Sequence, residues 1–191
     1  MIYSSTACIK EKKLIINIKR LLDLGYKNIE LTGGCEYLDS IEGKLLNLKR
    51  EYNINFLIHN YFPPPLKEFV INTSDKEIQP DLKRYFKKSI ELCKLLNSPY
   101  FSIHAGFLIS IDSFKNIYNT KNFSFLSENL AIKNMKLLYE YLENISKNEV
   151  KIYIENNVIS SKNYNFFENR NPFLLTCVDD YKKIKKFFDF N

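Results

Sequence analysis

Apolar residues along the chain follow two alternating rhythms. Short runs with little polar interruption, "MIYSSTA", "NIELTGG", "INFLIHN", "PYFSIHAGF" and "VKIYIENN", each precede a stretch in which apolar residues return every three or four positions. Runs of the first kind predict strands buried on both faces, and the second spacing predicts amphipathic helices. The first helix falls in "KEKKLIINIKRLLDLGY", where Leu14, Ile15, Ile18, Leu21 and Leu22 make one stripe and Gly25 offers a C-terminal cap. The second falls in "YLDSIEGKLLNLKREY", with Leu38, Ile41, Leu45, Leu46 and Leu48. The third, in "SDKEIQPDLKRYFKKSIELCKLLN", opens with Ser74 and Glu77 at capping-box spacing. Its regular turns are expected just beyond Pro80, and Asn97 ends it as a residue that tolerates the left-handed conformation. The fourth, "SENLAIKNMKLLYEYLENISK", follows Ser127 as N-cap, and a last short helix is expected in "VDDYKKIKKFF".

Five successive strand-helix units predict an α/β fold with a parallel sheet and right-handed crossovers. No composition shift or low-complexity stretch divides the chain, so residues 1–191 read as a single domain. The segment from Ala105 to Ser124 is long enough to be a functional βα loop. With 45% hydrophobic and 26% charged residues, the 191-residue chain suits one well-buried core. Neither a leader-like start nor a run of about 18 apolar residues is present, so a cytoplasmic location and no membrane partner are expected. Cys8, Cys35, Cys93 and Cys177 lie too far apart for a CxxC pair and read as free thiols, mostly buried fillers. The net charge of +6 raises the prospect of a polyanionic partner. The lysines, however, are scattered through helical stretches where they fit a solvated face, which ranks nucleic acid low.

Chemistry gathers at the strand ends. His59 closes "LIHN", His104 closes "SIHAG", Glu155 closes "YIENN", and Glu30 stands at the end of the second strand in "IELTGG". A parallel α/β fold brings the carboxyl ends of all its strands to one face, so these groups are expected to converge although 96 positions separate His59 from Glu155. Imidazole and carboxylate are the groups for proton transfer or metal ligation. A single histidine after a strand also serves as a hydrogen-bonded structural residue. A carboxylate behind "IYI" is harder to account for by packing. The turns Gly33-Gly34 and Ala105-Gly106 either let a ligand approach the backbone or are simple tight turns.

Here the sequence resembles a known family. "LIHNYF", the block "INTSDKEIQPDLKRYFKKSIELCKLLNSPYFSIHAGF" and "IYIENN" are similar to the xylose isomerase-like TIM barrels, which include sugar and sugar-phosphate isomerases and epimerases and the endonuclease IV type of AP endonuclease. In that family the third strand ends in His, a segment of the form "NLAS" opens the third helix, the fourth strand ends in His-Pro-Gly and the fifth in Glu-Asn. This chain has "INTS", "HAG" and "IENN" there, with Ala105 in the place of the proline. The resemblance implies a divalent metal, Zn, Mn, Co or Mg, held by His59, His104 and Glu155, which would also be the catalytic residues, with Glu155 as candidate base. It implies substrate contacts from Glu30, Asn60, Tyr61 and Asn156, with Asn157 also near the site and Tyr61 and Phe62 walling the pocket. A small sugar or sugar phosphate would be the partner.

A closed barrel of this type takes about 250 residues, whereas five strand-helix units are legible here. The family's further metal ligands, near strands six, seven and eight, have no counterpart. Asp179 and Asp180 do not replace them, because acidic residues at a helix start are favoured by the helix dipole. The expected fold class is therefore a parallel (β/α) TIM-barrel type, incomplete, with about five of eight units. Such a piece has open edge strands, which implies a homo-oligomer or completion by another chain. The leading function is a metal-dependent sugar isomerase or epimerase, left inactive and metal-free if truncation has removed too much of the site. The alternatives are phosphodiester cleavage at abasic DNA and a non-catalytic scaffold or binding module.

Overall fold

The computed structural model describes residues 2–66, 69–74, 76, 79–111 and 123–188. Along them run β1 (Ser4–Ser5), a 3-10 turn (Thr6–Cys8), α1 (Leu14–Asp23), β2 (Asn28–Leu31), α2 (Ile41–Tyr52), β3 (Asn55–His59), α3 (Gln79–Leu96), β4 (Tyr100–His104), β5 (Ile109–Ile111), β6 (Phe123–Phe125), α4 (Glu128–Ser146), β7 (Lys151–Glu155), α5 (Ser161–Phe166) and α6 (Val178–Ile184). Five strands form one sheet in the order β1-β2-β3-β4-β7, while β5 and β6 pair with each other. The pairs β1/β2, β2/β3 and β3/β4 are parallel. At the last neighbour, Lys151 N–H donates to Pro99 O at 3.4 Å and Ala105 N–H to Glu155 O at 3.0 Å, so β7 runs in the same sense as β4. Parallel neighbours require a crossover, and a helix lies in each of the four connections. The sheet is open, with β1 and β7 as its edges among the described residues.

The caps explain where the helices stop. Gly25 takes φ 87° just after α1 and its N–H bonds Leu22 O, while Asn97 takes φ 51° after α3 and bonds Lys94 O. Ser127 Oγ accepts from Leu130 N–H at 3.4 Å, the N-cap expected for α4. One boundary differs from the sequence expectation: α3 begins at Gln79, so Pro80 lies inside its first turn. Proline is accepted there because its missing N–H has no intrahelical partner to lose. The capping box of Ser74 with Glu77 lies outside the described residues, since Glu77 is not among them. The loop after His104 carries the antiparallel pair β5/β6, which the apolar pattern did not reveal; its segment 112–122 is outside the described residues.

Contacts divide the chain into two units. The first comprises Met1–Leu66, Arg84–Ile103 and Ile145–Tyr153. Its core joins Ile18 and Leu21 of α1 and Leu45 and Leu48 of α2 to Phe56, Leu57 and Ile58 of β3, with Phe86 of α3 edge-on to Phe101 of β4 at 6.2 Å. The second comprises Lys67–Lys83, His104–Asn144 and Ile154–Asn191. It holds an aromatic cluster of Phe107, Ile109, Ile111, Phe123, Phe125, Phe166 and Phe167. Arg170 caps this cluster, its guanidinium 3.6 Å from the centre of the Phe125 ring.

Two sequence expectations are corrected by burial. Only the central strands β3 and β4 are buried through their middles; β2 alternates, and β7 is half-buried with Tyr153 47% exposed, as befits an edge. The thiols are not mostly fillers either: Cys93 is buried, Cys35 half-buried, and Cys8 and Cys177 are exposed. No described helix is long and apolar enough to cross a membrane.

Candidate metal centre

Parallel register decides which strand-end side chains meet. His59 is level with Ser102, and alternation along β4 puts Ser102 and His104 on the same side of the sheet. At the carboxyl ends of β3, β4 and β7, donor atoms of His59, His104 and Glu155 lie within 4.8 Å of one another, all three residues half-buried. Glu30 is not part of the group. Its Cα is level with Leu57, two residues short of His59, which sets it about 6.6 Å down the sheet.

The donor chemistry fits a divalent cation. His59 Nδ1 stands 3.1 Å from Asn60 O. A carbonyl only accepts, so Nδ1 donates in this contact, and in the neutral ring Nε2 is then the atom that would ligate, with Asn60 O as the outer partner. Two imidazoles and one carboxylate suit Zn, Mn, Fe or Co. Three protein ligands also leave a coordination position open, as catalytic sites require.

Two polar side chains next to these strand ends are fully buried. Asn60 is 1% exposed, and among the described residues neither its Nδ2 nor its Oδ1 has a hydrogen-bond partner; Ser102 Oγ is likewise buried and unpartnered among them. Orphaned buried polar atoms cost about 1–3 kcal/mol each, a cost that a surface selected for packing alone would shed. Ser102 was missed in the sequence, although its place two residues before His104 puts it on the same side of the strand. Of the other proposed contacts, Tyr61 is half-buried and adopts φ 63°, and Asn156 is exposed. Phe62 is fully buried and belongs to the core, so it does not wall a pocket.

Two asparagines of the motifs, Asn72 and Asn157, hold backbone. Asn157 Nδ2 donates to Gly106 O at 3.0 Å and Leu174 O at 2.8 Å, a backbone clamp and not an outward contact. Asn72 of "INTS" donates to Phe107 O and Ala131 O and accepts from Phe107 N–H at 2.9 Å. Gly106, at φ 97°, lies so close to Asn72 that a Cβ would stand 3.1 Å from its Cγ. The departure at Ala105 has a consequence too, because its N–H bonds Glu155 O, and proline could not donate there. Asp179 and Asp180 serve α6 as expected. Asp180 Oδ2 accepts from Thr176 N–H at 2.9 Å, Thr176 Oγ1 at 3.0 Å and Cys177 N–H at 3.3 Å, and Asp179 pairs with Lys182.

No family model and no curated protein matches the sequence. Solved structures do match. A D-tagatose 3-epimerase-like protein superposes with a TM-score of 0.67 at 14% identity, over 98% of this chain and 61% of its own. The fold is of the parallel TIM-barrel type. A 3-keto-D-glucoside 4-epimerase from E. coli gives 0.64 at 10% identity over 97% of this chain and 64% of that one. An L-ribulose 3-epimerase gives 0.62 at 13% over 97% and 56%. The chain thus shares its fold with these structures and spans about three fifths of their length, with its sheet open among the described residues.

Proposed function

We propose that this chain binds a divalent metal through His59, His104 and Glu155 and acts on a small sugar or sugar phosphate as an isomerase or epimerase. The observation that carries the reading is the convergence of those three donors within 4.8 Å at neighbouring strand ends. The fold brings these strand ends together, and all three of them carry a side chain that can ligate a metal. The fold shared with sugar epimerases supports the substrate class.

An ion bound there would polarise vicinal sugar oxygens and stabilise the charge that develops when a carbon-bound proton leaves. The chain's own residues supply the rest. Glu155 offers a carboxylate as ligand and as the base that takes up the proton. His59, its Nδ1–H tied to Asn60 O, presents Nε2 in a fixed direction. Asn60, Tyr61, Glu30 and Asn156 are the substrate contacts in this reading, with Asn60 bringing an amide that has no protein partner to lose.

The test is metal content. Elemental mass spectrometry of the chain after equilibration with zinc, manganese or cobalt is expected to find about one ion per chain, lost in the His59→Ala, His104→Ala, Glu155→Ala triple variant. Equal metal in both proteins, or none in either, would remove the reading and leave a scaffold or binding role. With metal retained, epimerisation of ketose and ketose-phosphate substrates followed by solvent-deuterium incorporation tests the chemistry.

A further inference from the structure

The two glycines after β2 differ in what they permit. A Cβ on Gly33 would stand 2.4 Å from Tyr61 O, 2.5 Å from Tyr61 Cβ and 2.9 Å from Tyr61 C, whereas one on Gly34 would have nothing within 4 Å. Gly33 does not adopt a left-handed backbone. Its requirement for glycine is therefore close approach, and the group that approaches is Tyr61.

Tyr61 is itself constrained. It holds φ 63°, a conformation that a residue with a Cβ enters only when its surroundings enforce it. The turn around it is pinned on every side. Asn60 N–H donates to Ser102 O at 2.9 Å, Phe62 N–H to His59 O at 3.1 Å, and Ser89 Oγ to Phe62 O at 2.9 Å, with the Phe62 ring fully buried. The carbonyl that receives His59 Nδ1–H belongs to Asn60, in the same rigid peptide plane as the Tyr61 nitrogen. Whatever displaces Tyr61 carries that acceptor with it.

We infer that Gly33 is a positioning residue for His59: by admitting Tyr61 to backbone contact it keeps the Asn60 carbonyl against Nδ1–H and so fixes the tautomer with its lone pair on Nε2. The inference rests on the reading of His59 as a ligand for its consequence, and on the turn geometry alone for its premise. A second strand-end loop thus takes part in aiming a side chain on β3, without touching metal or substrate.

The chain has only two histidines, so their ring nitrogens are separable by 15N-labelled histidine NMR, with the His104→Ala variant for assignment. In the full-length chain without metal, Gly33→Ala is expected to shift His59 from the Nδ1–H toward the Nε2–H tautomer, while Gly34→Ala leaves it unchanged. In a zinc titration against a chromophoric chelator, Gly33→Ala is expected to weaken binding by roughly 10–100-fold, the range for loss of an outer partner of a ligating imidazole. If Gly33→Ala does not fold, Gly33→Ala with Tyr61→Gly removes the Cβ collision but keeps the collision with the Tyr61 carbonyl; a folded double variant with a shifted tautomer supports the inference. A folded variant with the wild-type tautomer overturns it. So does an equal shift in Gly34→Ala, and so does collapse of both Gly33 variants, which assigns the glycine to the fold alone. Failure of the wild-type chain to bind zinc would remove the metal reading while a tautomer shift still stood; zinc binding with an unmoved tautomer would do the reverse.

Discussion

The amide of Asn72 serves three backbone groups at once, donating to Phe107 O and Ala131 O and accepting from Phe107 N–H. Replacing it leaves those groups buried without partners, so Asn72→Ala is expected to lower stability by about 2–3 kcal/mol, read as a drop in the urea midpoint at constant slope. Asn72→Asp should also be costly, because a carboxylate cannot make the two donations. At this scale the sequence singled out the side chains able to ligate a metal, since His59, His104 and Glu155 each end an apolar run. It could not separate asparagines left without partners among the described residues from asparagines that hold a loop. Asn60 has a buried amide without partners and Asn157 a buried amide with two, yet both stand one or two places after a strand-end ligand candidate. The difference lies in which backbone carbonyls the fold brings within reach.

Among the elements, α6 is defined by its start. Asp180 reaches back to Thr176 and Cys177, and its pKa reflects two opposed effects: burial raises it, and the hydrogen bonds from Thr176 and Cys177 outweigh that and hold it below the usual aspartate value. A folded-state pKa below the unfolded one contributes stability that is present above the unfolded value and disappears as pH falls through the folded value. Asp180→Ala is accordingly expected to cost roughly 1 kcal/mol near neutrality. The gap from wild type should be complete above about pH 5 and should close on acidification below the ordinary aspartate range. Thermal unfolding of the two proteins across pH 3 to 7, measured side by side, checks the direction; a gap that widens in acid would contradict it. Helix positions were legible because the three-four spacing and caps such as Gly25, Asn97 and Ser127 are local. The hairpin β5/β6 was not, because its stability comes from an aromatic cluster that includes Phe166 and Phe167, some forty residues further on.

For the molecule as a whole, the sheet ends at β1 and β7 among the described residues, and β7 leaves Tyr153 exposed beside Lys151. An edge strand with an exposed aromatic invites another strand. Sedimentation equilibrium is expected to show self-association rising through the micromolar range, and Tyr153→Lys is expected to weaken it severalfold by placing a charge at the edge. Tyr153 also rests on Tyr100, with ring centres 4.8 Å apart, so circular dichroism should accompany the measurement to show that the strand remains in place.

Local rules determined a great deal. Apolar runs, three-four spacing and cap residues fix strands and helices from neighbours in sequence, and five parallel strands in succession necessarily bring their carboxyl ends to one face. That is why His59, His104 and Glu155 could be grouped before any coordinates. Tertiary structure decided what depends on distance through space. Register set Glu30 two residues below the group. The approach of Tyr61 gave Gly33 its role, and long-range backbone contacts turned Asn72 and Asn157 into clamps. Each of these follows from which atoms share a few ångströms of space, and residues far apart in sequence acquire that relation only when the sheet assembles.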